Sequence, residues 1–119
     1  MSEQFFSQPI AEMDVKELAV LLEKSPEQLQ LIDVREPHEI EYASLPRFEF
    51  LPLSQFSQWE KQINTRFDRD VETIVICHHG VRSAQMCQWL LNLGFTKVKN
   101  VSGGIDAYSV VVDPSLPRY

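Results

Sequence analysis

The change of hydrophobic period across residues 71–94 constrains this chain most. "VETIVIC" (Val71 to Cys77) is apolar, β-branched and bounded by turns, the mark of a buried strand. After a short loop, "RSAQMCQWLLNLG" (Arg82 to Gly94) carries Ala84, Cys87, Leu90 and Leu91 on one helical face, with Gly94 placed to cap its end. The same order recurs along the chain. "LQLIDV" (Leu29 to Val34) and "KVKNV" (Lys97 to Val101) read as short strands, and "RFEFLPL" (Arg47 to Leu53) as another, ended by Pro52. "DVKELAVLLEK" (Asp14 to Lys24) reads as a helix capped by Asp14, with Glu17 completing a capping box and Val15, Leu18, Ala19 and Leu22 facing the core. "PHEIEYA" from Pro37, "SQFSQWEKQI" (Ser54 to Ile63) and the turn into "GGIDAYS" supply shorter helices. The strands are of buried type, which predicts an α/β domain with a mainly parallel sheet and helices on both faces.

A chain of 119 residues suits one domain, with residues 1–9 as a flexible lead-in and residues 10–119 as the folded unit. Apolar residues make up 44%, enough for a core that needs neither disulfides nor a metal. The net charge of -6, from 17 acidic and 11 basic residues, argues against a broad nucleic-acid or anionic-membrane surface but leaves room for a small anion site. No apolar run reaches the length of a membrane span, and the start "MSEQFFSQPIAEMD" lacks the pattern of a signal peptide. Cys77 and Cys87 give neither a disulfide framework nor a zinc site, so a reducing, cytoplasmic setting is expected, with no metal and no cofactor.

The loop between the strongest strand and its helix reads "CHHGVRSA" (Cys77 to Ala84). In parallel α/β folds ligands bind at the carboxyl ends of strands, which is where Cys77 falls. Gly80 permits positive φ or close approach of a ligand, and the N–H groups of the loop and first helical turn can form an anion cradle. A sulfur at the mouth of that cradle is favoured as thiolate. Arg82 adds a permanent charge able to grip an oxyanion, and His78 and His79 add donors near neutral pH. Together the parts suit a thiolate nucleophile acting on a small anion. The alternative is that Cys77 ends the strand as a small buried hydrophobe.

These segments together resemble a single-domain rhodanese, of the sulfurtransferase family. "DVREPHEIE" (Asp33 to Glu41) resembles the family's Asp-Val-Arg-Glu segment, "CHHGVRSA" its active-site loop, "GGIDAYS" (Gly103 to Ser109) its closing motif and "DPSLPRY" the C-terminal end of several relatives. The likeness runs from about Ile10 to Tyr119, with the motifs in the family's order. It implies a rhodanese-like fold with a five-stranded parallel sheet. It also implies that Cys77 takes a sulfane sulfur from an anionic donor such as thiosulfate, holds it as a persulfide and passes it to a thiol or protein acceptor. By the same resemblance, the backbone of His78, His79, Gly80, Val81, Arg82 and Ser83 cradles the persulfide, Arg82 engages the donor, and Asp33 and Arg35 brace the site. Tyr108 stands where relatives often have Trp, and "YASLPRFEF" replaces a segment that often carries a histidine.

Two other readings compete with sulfur transfer. Cysteine-dependent phosphatases and arsenate reductases of this fold place one residue more between cysteine and arginine than the four here, His78, His79, Gly80 and Val81. The tighter ring favours sulfur over phosphate. A non-catalytic rhodanese-like interaction module is the second rival, and the presence of both Cys77 and Arg82 speaks against it. Elsewhere Cys87 is expected in the core, His38 in solvent, and Phe56, Trp59 and Trp89 in packing roles. The tail with Pro114, Pro117 and Tyr119 is expected to strap back onto the domain. The sequence leaves oligomeric state open, with a monomer favoured.

Overall fold

Side chains alternate across the central strand, and that alternation divides the core in two. Strand β4 (Thr73–Ile76) is buried along its whole length. Ile74 and Ile76 join one apolar cluster, while Val75 and the following Cys77 join the other. The computed structural model describes residues 9–119, and all but Pro9 of the expected lead-in lies outside the described residues.

Five strands form one parallel sheet in the order β1-β5-β4-β2-β3, where β1 is Ala11–Met13, β2 Gln30–Asp33, β3 Glu49–Phe50 and β5 Val98–Val101. Helices α1 (Val15–Lys24) and α6 (Gly104–Val111) supply Val15, Leu18, Ile105 and Tyr108 to one cluster. The other cluster takes Trp59 from α3 (Phe56–Trp59), Ile63 from α4 (Ile63–Arg66) and Met86, Cys87 and Leu90 from α5 (Val81–Asn92). The sheet is thus covered on both faces, as the buried-type strands require.

The expected capping box of α1 is present: Asp14 Oδ1 accepts from the Glu17 N–H at 2.8 Å and Glu17 Oε1 from the Asp14 N–H at 2.9 Å. Helix α2 (Pro37–Tyr42) starts at its proline. One strand is added to those expected, and two local expectations are revised. Strand β1 has no apolar run of its own and exists through pairing with β5, Ala11 opposite Lys99 and Met13 opposite Val101. The strand expected over Arg47–Leu53 shrinks to β3, because Arg47 takes φ 74° and Pro52 has no N–H to continue the ladder. The helix expected over Ser54–Ile63 is split by 3₁₀ turns at Leu53–Gln55 and Glu60–Gln62. In the split segment Trp59 Nε1 donates to the Pro52 carbonyl at 2.9 Å, and Phe56, Trp59 and Trp89 meet edge-on. On α5 the buried positions are Ser83, Met86, Cys87 and Leu90, with Ala84 and Leu91 half-buried. Its buried face therefore includes a hydroxyl that the apolar periodicity does not mark.

Candidate active site

Cys77 follows the last residue of β4, and α5 begins at Val81, so the loop between them is only three residues, His78 to Gly80. Gly80 takes φ 102°, which turns the chain sharply into α5. The turn brings the Gly80 N–H to 3.1 Å from Cys77 Sγ. Ser83, in the first turn of α5, sets its hydroxyl 3.2 Å from the same sulfur. The expected cradle is represented at the sulfur by this amide and this hydroxyl, with the α5 N-terminus behind them. Cys77 is only 1% exposed, so the sulfur lies at the bottom of the loop.

The loop is held from below by α6. The Ile105 and Asp106 N–H groups donate to the Cys77 and His78 carbonyls at 2.9 and 3.1 Å. This contact explains the paired glycines of "GGIDAYS". Gly104 has φ 63°, and a Cβ there would come within 2.4 Å of the His78 carbonyl oxygen. No other residue allows α6 to start against the loop at this distance.

A second set of contacts braces the loop from the side of β2 and α2. Arg35 is fully buried, and each of its guanidinium nitrogens has acceptors. Nε and Nη2 donate to the Asp33 carboxylate, Nη2 also to the Ala43 carbonyl, and Nη1 to the Glu39 carbonyl and the Tyr119 hydroxyl. A buried ion pair is tolerable when its donors are satisfied in this way. Burial draws the Arg35 pKa down, but the bonds to Asp33 and Tyr119 outweigh it and the net shift is upward.

Glu39 joins this brace to the Cys77 loop. Its two carboxylate oxygens take a fork from Arg82, Nη1 to Oε1 at 2.6 Å and Nη2 to Oε2 at 2.9 Å. The Tyr119 hydroxyl donates to Oε2 at 3.0 Å and the Glu36 N–H to Oε1 at 2.9 Å. The Arg82 pair above all pushes the Glu39 pKa down to about 2, against the penalty of burial, and Glu39 in turn raises that of Arg82. Both terminal nitrogens of Arg82 therefore already face a carboxylate, and an incoming oxyanion meets a guanidinium that is partly neutralised.

An aromatic column flanks the loop. Tyr119 lies parallel to His78 with centroids 3.8 Å apart and stacks on Tyr42 at 5.2 Å, while His78 contacts His79 at 3.9 Å. The tail does strap back, and Tyr119 is its anchor. His78 Nε2 is buried without a hydrogen-bond partner, and burial, followed by the neighbouring His79, lowers its pKa. His79 is largely exposed, with Nδ1 4.0 Å from Asp106. Cys87 is fully buried and burial lifts its thiol to about 12, which suits a packing role; His38 is exposed.

Asp33, Arg35, Cys77 and the residues from His78 to Ser83 are thus gathered at one end of the sheet. Two residues of the same constellation carry weaker signals in sequence. Glu39 sits inside the "DVREPHEIE" segment at a helix-start position that accounts for it without any distant partner. Asn100 is the buried polar residue of β5, at 3% exposure beside the partly exposed Lys99, and its Oδ1 accepts from Ser83 Oγ at 2.5 Å. A surface hollow of about 670 Å³ between Gln30, Arg66, Asp70 and Gly94 lies at the other end of the strands and has no cysteine in its lining. Among the described residues no group of three or more His, Cys, Asp or Glu is arranged to hold a metal ion.

Residues 14–110 match the family described as Rhodanese-like domain. The chain is 45% identical over 114 residues to a chloroplastic rhodanese-like/PpiC domain-containing protein 12 of Arabidopsis thaliana, covering 94% of this chain and 38% of that relative's length. It is 31% identical over 96 residues to the thiosulfate sulfurtransferase GlpE of Vibrio cholerae, covering 81% of this chain and 85% of the relative. A rhodanese-like domain protein from Staphylococcus aureus superposes with a TM-score of 0.73 at 25% identity, over 92% of this chain and 99% of the other.

Proposed function

The chain belongs to the rhodanese-like domain family, and from that premise we propose that it is a sulfurtransferase in which Cys77 carries a sulfane sulfur as a persulfide. At family level a rhodanese-type enzyme is supported by the sulfurtransferase relatives. The observation that carries the reading to particular residues is the pair of donors aimed at one sulfur, the Gly80 N–H and the Ser83 hydroxyl, at the start of α5.

In the proposed reaction the Cys77 thiolate attacks the outer sulfur of a small anionic donor such as thiosulfate. A Cys77–sulfur bond forms, the donor's sulfur–sulfur bond breaks, and sulfite leaves with the electron pair. An acceptor thiolate then attacks the terminal sulfur, and Cys77 leaves as thiolate. Gly80 and Ser83 hold the negative charge before the first step and after the second. His78, His79, Val81 and Arg82 form the wall that the donor meets. Because Glu39 already occupies the fork of Arg82, its main work in this reading is to fix the loop, with donor binding in competition with the carboxylate. Asp33 and Arg35 hold α2 and the tail in place around that pair. The near-complete burial of Cys77 fits a donor of a few atoms better than a bulky phosphate ester.

Intact mass after incubation with thiosulfate tests the reading directly. The protein should gain one sulfur, about 32 Da, and lose it on addition of a thiol. Cys77→Ser should show no gain while folding normally. An unmodified mass in the native protein, or turnover of an aryl phosphate in its place, would overturn the proposal.

A further inference from the structure

Ser83 stands between two groups that both require its one proton. Its oxygen lies 3.2 Å from Cys77 Sγ and 2.5 Å from Asn100 Oδ1. A hydroxyl has a single proton to donate and lone pairs to accept with. The orientation of the Asn100 amide decides where that proton goes. Asn100 Nδ2 lies 3.0 Å from the Gly80 carbonyl oxygen and 3.3 Å from each oxygen of Glu12, all of them acceptors. Turning the amide over would set Oδ1 against these acceptors, so Oδ1 is fixed toward Ser83. Ser102 Oγ in turn donates to Glu12 at 2.7 Å and steadies its carboxylate.

We propose that Asn100 is a positioning residue that competes with Cys77 for the Ser83 hydroxyl proton and so restrains the nucleophile. This rests on the reading of Cys77 as the reactive sulfur. While Cys77 is a thiol, the Ser83 proton points to Asn100 Oδ1 and the Ser83 oxygen accepts from the Cys77 S–H. When the thiol loses its proton to solvent, Ser83 rotates and donates to the thiolate, and Asn100 Oδ1 gives up its bond. Ser83 and Asn100 are both buried, so water does not readily replace that bond. The same rotation recurs when the acceptor takes the outer sulfur of the persulfide and charge returns to Cys77 Sγ. The other charged or titratable groups near Cys77 are His78 and His79 in the loop and Arg82 and Cys87 on α5, with Glu39 behind Arg82, Asp106 of α6 beside His79 and Glu12 of β1 bound to Asn100. Asn100→Leu leaves Arg82, Cys87 and Glu39 untouched but removes the Nδ2 bonds to Glu12 and the Gly80 carbonyl, a loss that the double variant with Ser83→Ala shares.

The experiment compares Asn100→Leu, Ser83→Ala and the double variant in the rate of Cys77 alkylation by iodoacetamide near about pH 7. Peptide mass mapping restricts the readout to Cys77. Asn100→Leu frees the hydroxyl for the sulfur and should speed alkylation roughly five- to tenfold, the scale of one hydrogen bond. Ser83→Ala should slow it by a similar factor, and the double variant should match Ser83→Ala. If Asn100 merely props the loop, Asn100→Leu slows the reaction, and the proposal is overturned. It is equally overturned if the acceleration persists without Ser83. Should Asn100→Leu fail to fold, nitrogen-15 resonances of the native protein supply the answer. The Asn100 side-chain amide should shift as thiolate absorbance develops with rising pH, and a stationary signal rejects the competition. Iodoacetamide needs no sulfur donor, so these outcomes are independent of whether thiosulfate is the substrate.

Discussion

Glu39 and His78 show how single groups near the loop tie its geometry to pH. Glu39 has a folded pKa of about 2 against an ordinary value of 4.5, chiefly because of Arg82. A depressed carboxylate contributes stability above its ordinary value and loses it as pH falls toward the folded one. Between neutral pH and about pH 3 this pair alone should cost the native protein about 2 kcal/mol. Glu39→Gln should be less stable than the native protein at neutral pH, and its stability should fall less steeply below pH 4.5. Urea unfolding of both proteins at the two pH values checks the difference in slope. His78 acts in the same direction at higher pH. Its buried Nε2 has no acceptor, so a proton there is disfavoured and the neutral ring is retained in the folded state. Stability is full above the ordinary histidine value of 6.5 and declines as pH drops through it. His78→Gln should remove that first decline while leaving the carboxylate one.

At the scale of elements, the contact between α6 and the Cys77 loop is the most demanding. Gly104→Ala places a Cβ 2.4 Å from the His78 carbonyl oxygen and 2.5 Å from that of Cys77, at a φ that already disfavours alanine. Backbone must move, so the variant should lose at least about 2 kcal/mol and its sulfur acceptance together. Gly94→Ala offers the control. It too has positive φ, but its nearest neighbour is the end of the Arg69 side chain at 3.2 Å, which can shift. That variant should lose about 1 kcal/mol and keep its chemistry. Thermal melts with mass detection of the persulfide separate the two. The same scale shows what the sequence made legible. The β4–α5 switch, the α1 capping box and the paired glycines announce themselves because each depends on neighbours a few residues apart. Strand β1 does not, since its hydrogen bonds come from β5, more than eighty residues away. The Glu39–Arg82 fork joins residues 43 apart, and local patterns give Glu39 a sufficient reason as part of a helix start. Asn100 leaves only a faint trace, a polar residue beside Lys99 in a short strand, and its partners Ser83, Gly80 and Glu12 emerge only when the sheet is assembled.

Across the whole molecule, the tail closes a circuit that no single element contains. Tyr119 reaches Arg35 and Glu39, 84 and 80 residues earlier, and inserts its ring between Tyr42 and His78. Ser109 Oγ donates to the Leu116 carbonyl at 2.7 Å and steers the chain toward that position. One ring thus connects the buried Asp33–Arg35 pair, the Glu39–Arg82 fork and the loop that bears Cys77. Tyr119→Phe keeps the stack and loses the hydroxyl's two bonds, so it should destabilise the fold by about 1–2 kcal/mol. Tyr119→Ala also removes the ring, and its loss should be about 2–4 kcal/mol. The larger change has a consequence that a simple loss of packing does not. Burial is the main cause of the low His78 pKa, and Tyr119 lies flat against that imidazole. In Tyr119→Ala the ring gains solvent, so its midpoint in an NMR titration should move upward toward the ordinary histidine value. In Tyr119→Phe it should stay close to that of the native protein. Equal His78 midpoints in all three proteins would show that the tail anchors the domain without shaping the electrostatics of the loop.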